Sequence, residues 1–341
     1  MLGRKTNPTQ LKLAMASIAK LKNVQFFYFT PDNVQYENRK ILGRFHNGEK
    51  WEEKLFEYPD YIYDRMLFRG VQKYQKLYDE FSHIPFNNEK KKGGPIDKTD
   101  IYELLRKSTE FQTYLIPYIE VSGRQDVLGY LKKYKNIVCK ANSGSFGLSV
   151  YFIKNLEKYI EVRLHKQIFK YTKDEFIEFV DNTFIQTKSK YVIQPYIQSR
   201  TNDGNPFDLR VHLMKDRNGK WSIVRIYPRI GARNSIISNL HLGGSTCDLT
   251  TFLTKHITIK DRKTFTKSLR TFALKFADFM EKDQEDHFSE LGLDIAVDEN
   301  EKLWLFEVNM NRINIANLTF EAANHAISYG KHVILQKQLS N

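Results

Sequence analysis

One segment constrains the fold of this 341-residue chain more than any other: residues 290–309, ELGLDIAVDENEKLWLFEVN. Apolar residues alternate with polar ones on both sides of a charged stretch, which predicts two strands joined by a tight turn. If residues 299–302 form the loop, antiparallel pairing places Asp294 opposite Glu307 and leaves Asn309 on the same face. The segment therefore predicts a hairpin with one polar face and one apolar face.

The polar face of this hairpin holds two acidic side chains at close range. Cross-strand neighbours lie roughly 5 Å apart, so Asp294 and Glu307 would repel each other unless a positive charge lies between them. A hard divalent cation with oxygen ligands, Mg²⁺ above all, fits both carboxylates together with Asn309. The alternative is a surface hairpin with two solvated acids, and the spacing alone does not decide between the two.

The same pairing makes expectations for the rest of the hairpin. It sets Ala296 opposite Leu305 and Asp298 opposite Leu303. The apolar face would then consist of Leu293, Ile295, Trp304, Phe306 and Val308.

Composition bounds the class of protein. The length allows two or three domains and a large core, and 41% hydrophobic with 27% charged residues is typical of an ordinary globular chain. Cys139 and Cys247 form no disulfide framework, so we expect two reduced thiols. No apolar run reaches the roughly 20 residues of a membrane span, and the start of the chain lacks the apolar continuity of a signal peptide. We expect a cytoplasmic protein.

The net charge of +13 is compatible with nucleic acid, an anionic surface or a phosphate-bearing ligand as partner. The lysines are spread along the chain, with one cluster at residues 90–92, and no nucleic-acid-binding motif accompanies them. A generally lysine-rich composition is the simpler interpretation. We therefore expect neither a nucleic-acid nor a membrane partner.

A second segment with binding chemistry is a strand, residues 136–140, that ends on Lys140 and leads into the loop NSGSFG of residues 142–147. Small residues would let backbone N–H groups approach phosphate oxygens, while Lys140 supplies a positive charge. A second strand follows, not the helix of a P-loop or Rossmann motif. The alternative is a hairpin turn beside an unrelated lysine.

Two further segments carry candidate site residues. Tyr191–Ile197 reads as a strand interrupted by Pro195, which leaves backbone groups free for a purine or marks an edge strand. Further on, Asp208, Arg210 and His212 share one face of a strand. An irregular basic stretch follows with Arg229, Arg233 and Asn239. Basic residues next to an acidic hairpin favour anion handling.

The remaining pattern predicts an α/β region up to residue 86, helices near 72–81, 98–105, 127–134 and 173–181, a long helix from residue 253, and a final helix over 318–336. We expect Thr172 to cap the helix that begins at Lys173. A polar, glycine-containing stretch at residues 87–95 marks a domain boundary.

Taken in order, these motifs resemble the ATP-grasp superfamily. They are a helix after Asp97-Lys98, the lysine-ended strand with its Ser/Gly loop, IQPYI, FDLRV, SNLHLGG and GLDIAVD…WLFEVN. The stretches YFTP, GRFHNGEKW, YPDYIYDR and DKTDIYELL are most similar to the endospore coat-associated YheC/YheD type, from about Val24 onward. The resemblance implies an α+β, three-domain fold: an N-terminal α/β domain (1–94), a central domain with the lid loop (95–190), and a C-terminal antiparallel-sheet domain with the Mg²⁺ site (191–341).

The resemblance also implies roles for individual residues. Two lysines would contact ATP phosphates, Lys98 and Lys140. The lid over them would include Ser143, Gly144, Ser145 and Gly147, and the hinge at the adenine would be Gln194, Pro195, Tyr196 and Ile197. The catalytic group would be Arg210 and Arg233, which neutralise charge on the γ-phosphate and the acyl phosphate, together with Asn239. The metal ligands would be Asp294, Glu307 and Asn309, with Glu307 shared between two Mg²⁺ ions and Mn²⁺ as the alternative metal.

The implied activity is an ATP- and Mg²⁺-dependent carboxylate–amine ligase that works through an acyl phosphate and forms a peptide or amide bond, with an amino acid or peptide as substrate. The alternative is a non-catalytic ATP-binding protein of the same fold, associated with the spore coat. Met310–Ile313 replaces a turn with Pro and Gly that related peptide-forming ligases have after EVN, which leaves the metal ligands in place and the acceptor pocket open.

Overall fold

A computed structural model of the chain describes residues 1–5, 7–66, 68, 70–89, 98–142, 149–164, 167–232, 235, 238, 240, 243–283, 287–311 and 318–340. Its α-helices are α1 (Gln10–Leu21), α2 (Gln75–Glu80), α3 (Lys98–Lys107), α4 (Arg124–Tyr134), α5 (Lys173–Val180), α6 (Leu249–Lys255), α7 (Arg262–Asp283) and α8 (Thr319–Ser340). Its strands are β1 (Val34–Gln35), β2 (Lys40–His46), β3 (Trp51–Glu57), β4 (Asn88–Glu89), β5 (Ile119–Glu120), β6 (Asn136–Ala141), β7 (Val150–Leu156), β8 (Tyr159–Leu164), β9 (Gln167–Tyr171), β10 (Tyr191–Pro195), β11 (Phe207–Lys215), β12 (Trp221–Ile230), β13 (His287–Phe288), β14 (Glu290–Val297) and β15 (Leu303–Met310).

The N-terminal region combines an antiparallel sheet, β1-β2-β3, with extended segments joined by single parallel bridges. Leu2 bridges to both Phe29 and Asp64, and Ile62 bridges to Phe86. A core of Phe and Tyr rings fills the space between them and α2. In the stretch 24–29 only the last two residues, Tyr28 and Phe29, form β-bridges, because the neighbouring segments contact it at single positions instead of along a ladder.

The central region is a six-stranded antiparallel sheet in the order β5-β10-β6-β7-β8-β9. Helices α4 and α5 pack their apolar sides into its core, with Val127, Leu131 and Phe176 buried. The predicted cap of α5 is confirmed. The Thr172 hydroxyl accepts a hydrogen bond from the Glu175 N–H at 3.4 Å, and the Glu175 carboxylate accepts one from the Thr172 N–H at 2.7 Å.

The C-terminal region is a four-stranded antiparallel sheet in the order β12-β11-β14-β15. Alternate residues of β11, among them Leu209 and Val211, face a core closed by α6 and α7. The opposite face carries Asp208, Arg210 and His212, and part of it is covered by α8. Both inner strands, β11 and β14, are buried along their whole length. The sheet therefore holds its polar residues on a rigid, fully packed frame.

The register of the β14–β15 hairpin is partly as predicted. Asp294 pairs with Glu307, which confirms the expected acidic pair. A β-bulge then shifts the register between Asp294 and Ile295, so that Ala296 lies opposite Trp304 instead of Leu305. The expected pairing of Leu303 with Asp298 is wrong for the same reason, since its partner is Val297.

The bulge also reassigns the faces of β15. Leu303 and Leu305 lie in the core together with Ile295, whereas Trp304 turns outward and donates its indole N–H to the Asp298 carboxylate at 2.8 Å. The assignment of Trp304 and Phe306 to the core face is therefore wrong, and that of Val308 is correct.

Residues 10–21 form a helix, α1, to which the sequence analysis assigned no structure. Ala14, Met15 and Ala19 of α1 pack against Ala322 and Ala323 of α8. The predicted C-terminal helix is confirmed as α8, and the long helix predicted from residue 253 is divided into α6 and α7. Mixed helices and antiparallel sheets confirm the predicted α+β class. The domain boundaries stay predictions, and most of the stretch at 87–95 lies outside the described residues.

Cys139 and Cys247 are free thiols. In the part of the chain that the structure describes, every helix is too short or too polar to cross a membrane.

Candidate functional site

The candidate site lies on the polar face of the C-terminal sheet, where three neighbouring strands place charged residues in one row. Arg210 of β11 pairs with Asp294 of β14, and Asp294 pairs in turn with Glu307 of β15. On the outer side of β11, Asp208 pairs with Arg229 of β12. Charge alternates from Arg229 through Asp208 and Arg210 to Asp294, and Glu307 then places a second acid next to Asp294.

Asp294 is the centre of this row and is 4% exposed. Arg210 donates two hydrogen bonds to its carboxylate, from Nε to Oδ1 and from Nη2 to Oδ2 at 3.1 Å. Arg229 contacts the same carboxylate, with Nη2 at 2.8 Å from Oδ2. Burial raises the pKa of Asp294, but the two guanidinium groups outweigh it and hold the pKa below its ordinary value. The alternative of a surface hairpin with two solvated acids is therefore wrong for Asp294.

Arg229 links the two buried acids of the row. Its Nε and Nη2 donate to the Asp208 carboxylate at 2.6 Å each, and the Ser238 hydroxyl donates to the same group at 2.5 Å. Arg229 was predicted to lie in an irregular basic stretch, whereas it lies within β12. Its position opposite Asp208 depends on a β-bulge between His212 and Leu213, which shifts the register of the two strands by one residue.

Glu307 is the carboxylate of the row that is open to solvent, with 39% of its side chain exposed. Its nearest cation is Lys98, whose Nζ lies 3.8 Å from Oε1. Burial in the cleft raises the pKa of Glu307, the charge of Asp294 raises it further, and Lys98 and Lys140 oppose both effects. The predicted repulsion between the two acids is thus present on the Glu307 side and offset by arginines on the Asp294 side.

Two lysines of the central region reach across to β15. Lys140, at the end of β6, donates from Nζ to the Phe306 carbonyl at 3.3 Å. Burial lowers its pKa to about 8, against the raising effect of Glu307. Lys98 begins α3, and its Nζ also contacts the Asn142 carbonyl at 3.4 Å. The structure therefore brings both predicted phosphate-binding lysines to the same edge of the acidic hairpin.

A reciprocal pair of hydrogen bonds fixes the start of α3 against the end of β6. The Thr99 N–H donates to Asn142 Oδ1 at 3.1 Å, and Asn142 Nδ2 donates to the Thr99 hydroxyl at 2.9 Å. Asn142 is 5% exposed. This contact holds Lys98 and Lys140 in a fixed relation although they lie in different elements.

The predicted hinge, residues 194–197, lies at the end of β10. Pro195 pairs with Ile137 of β6, and the other neighbour of β10, the short strand β5, extends only opposite Val192 and Ile193. β10 is thus an inner strand whose last residues lack a second ladder partner among the described residues. Gln194 is 3% exposed, and its side-chain amide lies next to the buried Tyr102 hydroxyl. A buried amide at the open end of a strand is compatible with a planar, hydrogen-bonding base such as adenine.

Asp294, Glu307 and Asn309 lie together as predicted for metal ligands. Asn309 follows Glu307 on the same face of β15, and its Nδ2 lies 3.5 Å from Asp294 Oδ2. Within the described ranges, no group of three or more His, Cys, Asp or Glu residues could hold a metal ion. The donor set of two carboxylates and one amide oxygen fits Mg²⁺, which takes oxygen ligands and completes its shell with water or phosphate.

Several predicted site residues lie outside the described residues. They are Ser143, Gly144, Ser145 and Gly147 of the lid, and Arg233 and Asn239 of the catalytic group.

A second buried charge cluster lies on the same face, and the sequence analysis missed it. Glu290, at the start of β14, accepts from Arg65 Nη1 at 3.0 Å and from the Tyr63 hydroxyl at 3.4 Å, and contacts His212 Nε2 at 3.1 Å. Glu290 and His212 are fully buried. The signal was available, because Glu290 falls in phase with Asp294 along β14.

The chain matches a family model described as YheC/D like ATP-grasp over residues 84–329. The endospore coat-associated protein YheD of Bacillus subtilis is 25% identical over 297 residues, 83% of this chain and 63% of YheD. The endospore coat-associated protein YheC of the same organism is 25% identical over 299 residues, 84% of this chain and 80% of YheC. The chain thus spans less than two thirds of the length of YheD.

Solved structures with a similar fold include a RiPP-associated ATP-grasp ligase of Chryseobacterium gregarium in complex with ADP and a leader and core peptide. It has a TM-score of 0.51 and 11% identity, with 98% of this chain and 96% of that chain covered. D-alanyl-alanine synthetase A of Vibrio cholerae also has a TM-score of 0.51, with 13% identity and coverage of 100% and 97%. At these identities the likeness concerns the fold.

Proposed function

The chain belongs to the YheC/D-like ATP-grasp family, and from that premise we propose that it is an ATP- and Mg²⁺-dependent ligase that joins a carboxylate to an amine. The observation that carries this proposal is the meeting of Lys98 and Lys140 with the acidic hairpin, at 3.8 Å from Glu307 and 3.3 Å from the Phe306 carbonyl. The two lysines come from the central region and the carboxylates from the C-terminal sheet, so a metal-bound triphosphate would fit between them.

Lys140 supports the phosphate assignment through its charge state. Burial lowers its pKa to about 8, and the charge of Glu307 opposes this only in part. A phosphate oxygen at this position would favour the charged form of the lysine. Part of the binding free energy would thus come from adding a second anion next to this buried ammonium.

Asp294, Glu307 and Asn309 would hold Mg²⁺, as two ions with Glu307 shared, and Mn²⁺ could replace it. The bound metal would supply charge neutralisation for phosphoryl transfer. The residue types present support this assignment: oxygen donors only, on facing strands, with Glu307 open to the cleft.

The proposed reaction has two steps. A substrate carboxylate oxygen attacks the γ-phosphorus of ATP and ADP leaves. The amine then attacks the acyl carbon and inorganic phosphate leaves. Phosphoryl transfer depends chiefly on positioning and on neutralising charge. Arg210 suits this role, since Asp294 holds its guanidinium rigidly on an inner strand. Arg233 and Asn239 stay proposed members of the catalytic group.

The substrates we propose are amino acids or peptides. One ligase of similar fold is in complex with a leader and core peptide, and the other is named for the synthesis of D-alanyl-alanine, which suggests the same substrate class here. The segment from Met310 to Ile313 differs from the Pro- and Gly-containing turn of related ligases. We therefore expect an acceptor pocket of its own chemistry.

The test measures phosphate release from ATP and Mg²⁺ in the presence of pools of amino acids and small acids, with hydroxylamine added as a surrogate amine. An acyl phosphate would be trapped as a hydroxamate. We expect a hydroxamate from one pool with the natural protein and none with Glu307→Gln. Phosphate release without any hydroxamate would contradict the acyl-phosphate route.

A second candidate is a non-catalytic ATP-binding protein associated with the spore coat. The observation that favours it is that arginine nitrogens contact both oxygens of Asp294, which leaves fewer lone pairs for a metal. This reading predicts that ATP with Mg²⁺ raises the melting temperature while no pool of acids stimulates phosphate release. In both cases we expect a cytoplasmic protein, with association with the spore coat suggested by the names of the curated relatives.

A further inference from the structure

The far side of the C-terminal sheet carries a second feature that the proposed ligase does not use. Helices α6 and α7 cover the face that holds Leu209, opposite the face that holds Arg210. Between the two helices lies a groove of about 630 Å³. Its walls present four cations, Arg262, Lys263, Lys267 and Arg270, and the described residues that line it include no carboxylate. We call it the α6–α7 groove.

The four cations are exposed, and none of them forms an ion pair within the described part of the chain. The next cation along α7 behaves differently, since Lys275 pairs with Glu110 at 2.8 Å. Asp261, the acid nearest in sequence, is used as a cap. Its carboxylate accepts from the backbone N–H groups of Lys263 (2.9 Å) and Thr264 (3.1 Å) and from the Thr264 hydroxyl (2.7 Å).

This arrangement weakens the helix that carries it. Lys263 and Lys267 are four residues apart and Lys267 and Arg270 three apart, so their side chains are neighbours and like charges repel. Arg262 and Lys263 also lie in the first turn, which contains no acid, where the helix dipole disfavours cations. A local arrangement that opposes stability without a visible structural gain points to a role in binding.

We propose that the α6–α7 groove binds an acidic peptide segment. Leu274, which is half-buried, supplies apolar surface in the groove, and four threonines line it: Thr250, Thr254, Thr266 and Thr271. An apolar side chain of the peptide would lie on Leu274 while its carboxylates pair with the cations on either side. Charge complementarity thus selects an acidic partner, and Leu274 selects one with apolar side chains.

A nucleic acid fits the groove less well. Unpaired bases bind proteins by stacking on aromatic rings, and the described lining contains no aromatic residue. A duplex would offer only phosphates and would leave the apolar surface uncovered. The groove is therefore assigned to a peptide, and nucleic acid becomes an outcome of the test.

The test uses a short fluorescein-labelled peptide of glutamate and leucine, with a lysine–leucine peptide, an oligonucleotide and phosphatidylglycerol vesicles as comparison probes. Lys263→Glu with Lys267→Glu changes the groove. Lys132→Glu with Lys133→Glu makes the same charge change on the exposed end of α4. At physiological salt we expect the groove variant to lose at least about tenfold in affinity for the acidic peptide, as for loss of close charge pairs, and the α4 variant to bind as the natural protein does.

Equal loss in both variants would mean that net charge alone attracts the peptide, and would overturn the proposal. It would also be overturned if the natural protein bound no acidic peptide, or if only oligonucleotide or vesicle binding depended on the groove. The melting temperature of the groove variant should not fall, because Lys267→Glu gives Arg270 an opposite charge three residues away and Lys263→Glu places an acid in the first turn, where the helix dipole favours it. If it does fall, Lys263→Gln with Lys267→Gln repeats the measurement without introduced acids. The thermal response to ATP and Mg²⁺ should be the same in every variant, since the groove lies behind the sheet.

Discussion

Strand β14 carries two buried acids on the same face, and they are treated differently by the rest of the molecule. Glu290 is enclosed by Arg65, Tyr63 and His212, which come from the N-terminal region and from β11. Asp294 is gripped by two arginines as well, but it also faces a second acid, Glu307, across the hairpin. The described partners of Glu290 offset its negative charge, whereas Asp294 has neighbours of both signs.

This difference distinguishes a buried ion pair within the fold, at Glu290, from a candidate binding site at Asp294 and Glu307. Glu290 joins the N-terminal region to the C-terminal sheet, and burial raises the pKa of Tyr63 so that its hydroxyl remains a donor to Glu290. Around Asp294 and Glu307 the charge is left incompletely balanced at the edge that faces solvent. Glu290 is held inside the fold by one arginine and two hydrogen-bonding side chains, whereas two acids that face each other in a cleft form a candidate functional site.

The largest effect should come from removing the enclosed acid. We expect Glu290→Ala to lower the free energy of unfolding by about 3–5 kcal/mol, because it removes the buried carboxylate that Arg65 contacts at 3.0 Å. Denaturant titration measures the change. Glu321→Ala is the control, since it removes one partner of an exposed pair with Arg225 and should cost less than about 1 kcal/mol. Similar losses in the two variants would contradict the distinction between enclosed and exposed acids.

The next prediction concerns the acid that faces another acid. Glu307→Gln should fold at least as well as the natural protein without ligand, because it removes the repulsion from Asp294. Its Mg²⁺-dependent ATP turnover should fall about a thousandfold, or roughly 4 kcal/mol at 1.4 kcal/mol per tenfold change. Melting temperature and turnover are measured on one preparation, with Glu299→Gln in the exposed turn as control. A variant that is destabilised yet active would show that Glu307 is structural.

A smaller effect is expected at Lys140. ATP with Mg²⁺ should raise the melting temperature of the natural protein, by about 2.7 kcal/mol of added stability at a hundredfold excess over the dissociation constant. Lys140→Ala should abolish most of this gain, whereas Lys133→Ala on the surface of α4 should keep it. An unchanged shift in the Lys140 variant would remove this residue from the nucleotide site.

The smallest predicted effect is a pH dependence. The pKa of Glu307 is raised in the folded protein by burial and by Asp294, so its ionisation opposes folding. This cost is absent below the unfolded pKa of about 4.3, grows as pH rises through the folded pKa, and persists above it. The stability advantage of Glu307→Gln should therefore be present at neutral pH and shrink towards acid pH. Paired denaturation curves across this range would show a constant difference if the pKa of Glu307 were not raised in the folded protein.

The sequence was sufficient to predict the parts of the site that depend on alternation within one strand. Asp294 and Glu307 were paired correctly, and the cap at Thr172 was predicted because both depend on residues close along the chain. The bulge at Phe306 was not predicted, because regular alternation through Trp304 and Leu305 does not show which of these two side chains faces the core. Leu305 lies in the core and Trp304 does not, and only the packing of the C-terminal core could decide this.

The contacts that could not be predicted join distant segments. Arg65 and Glu290 are 225 residues apart, and Lys140 and Phe306 are 166 apart. No local pattern indicates such pairs. Helix α1 was missed for a related reason: its apolar residues are interrupted by lysines, and its stability comes from packing on α8, a partner at the other end of the chain.

The bulge in β15 divides this strand into two halves that can change independently. Leu303 and Leu305, before the bulge, pack in the core, whereas Glu307 and Asn309, after it, lie in the candidate site. A substitution that repacks the first half need not change the direction of the Glu307 and Asn309 side chains in the second half. The number of residues between the turn and Glu307 constrains the site more strictly, because removing one residue would turn the side chains of Glu307 and Asn309 away from Asp294. Along this edge of the sheet, a change in chain length should be far less tolerated than a change in residue type.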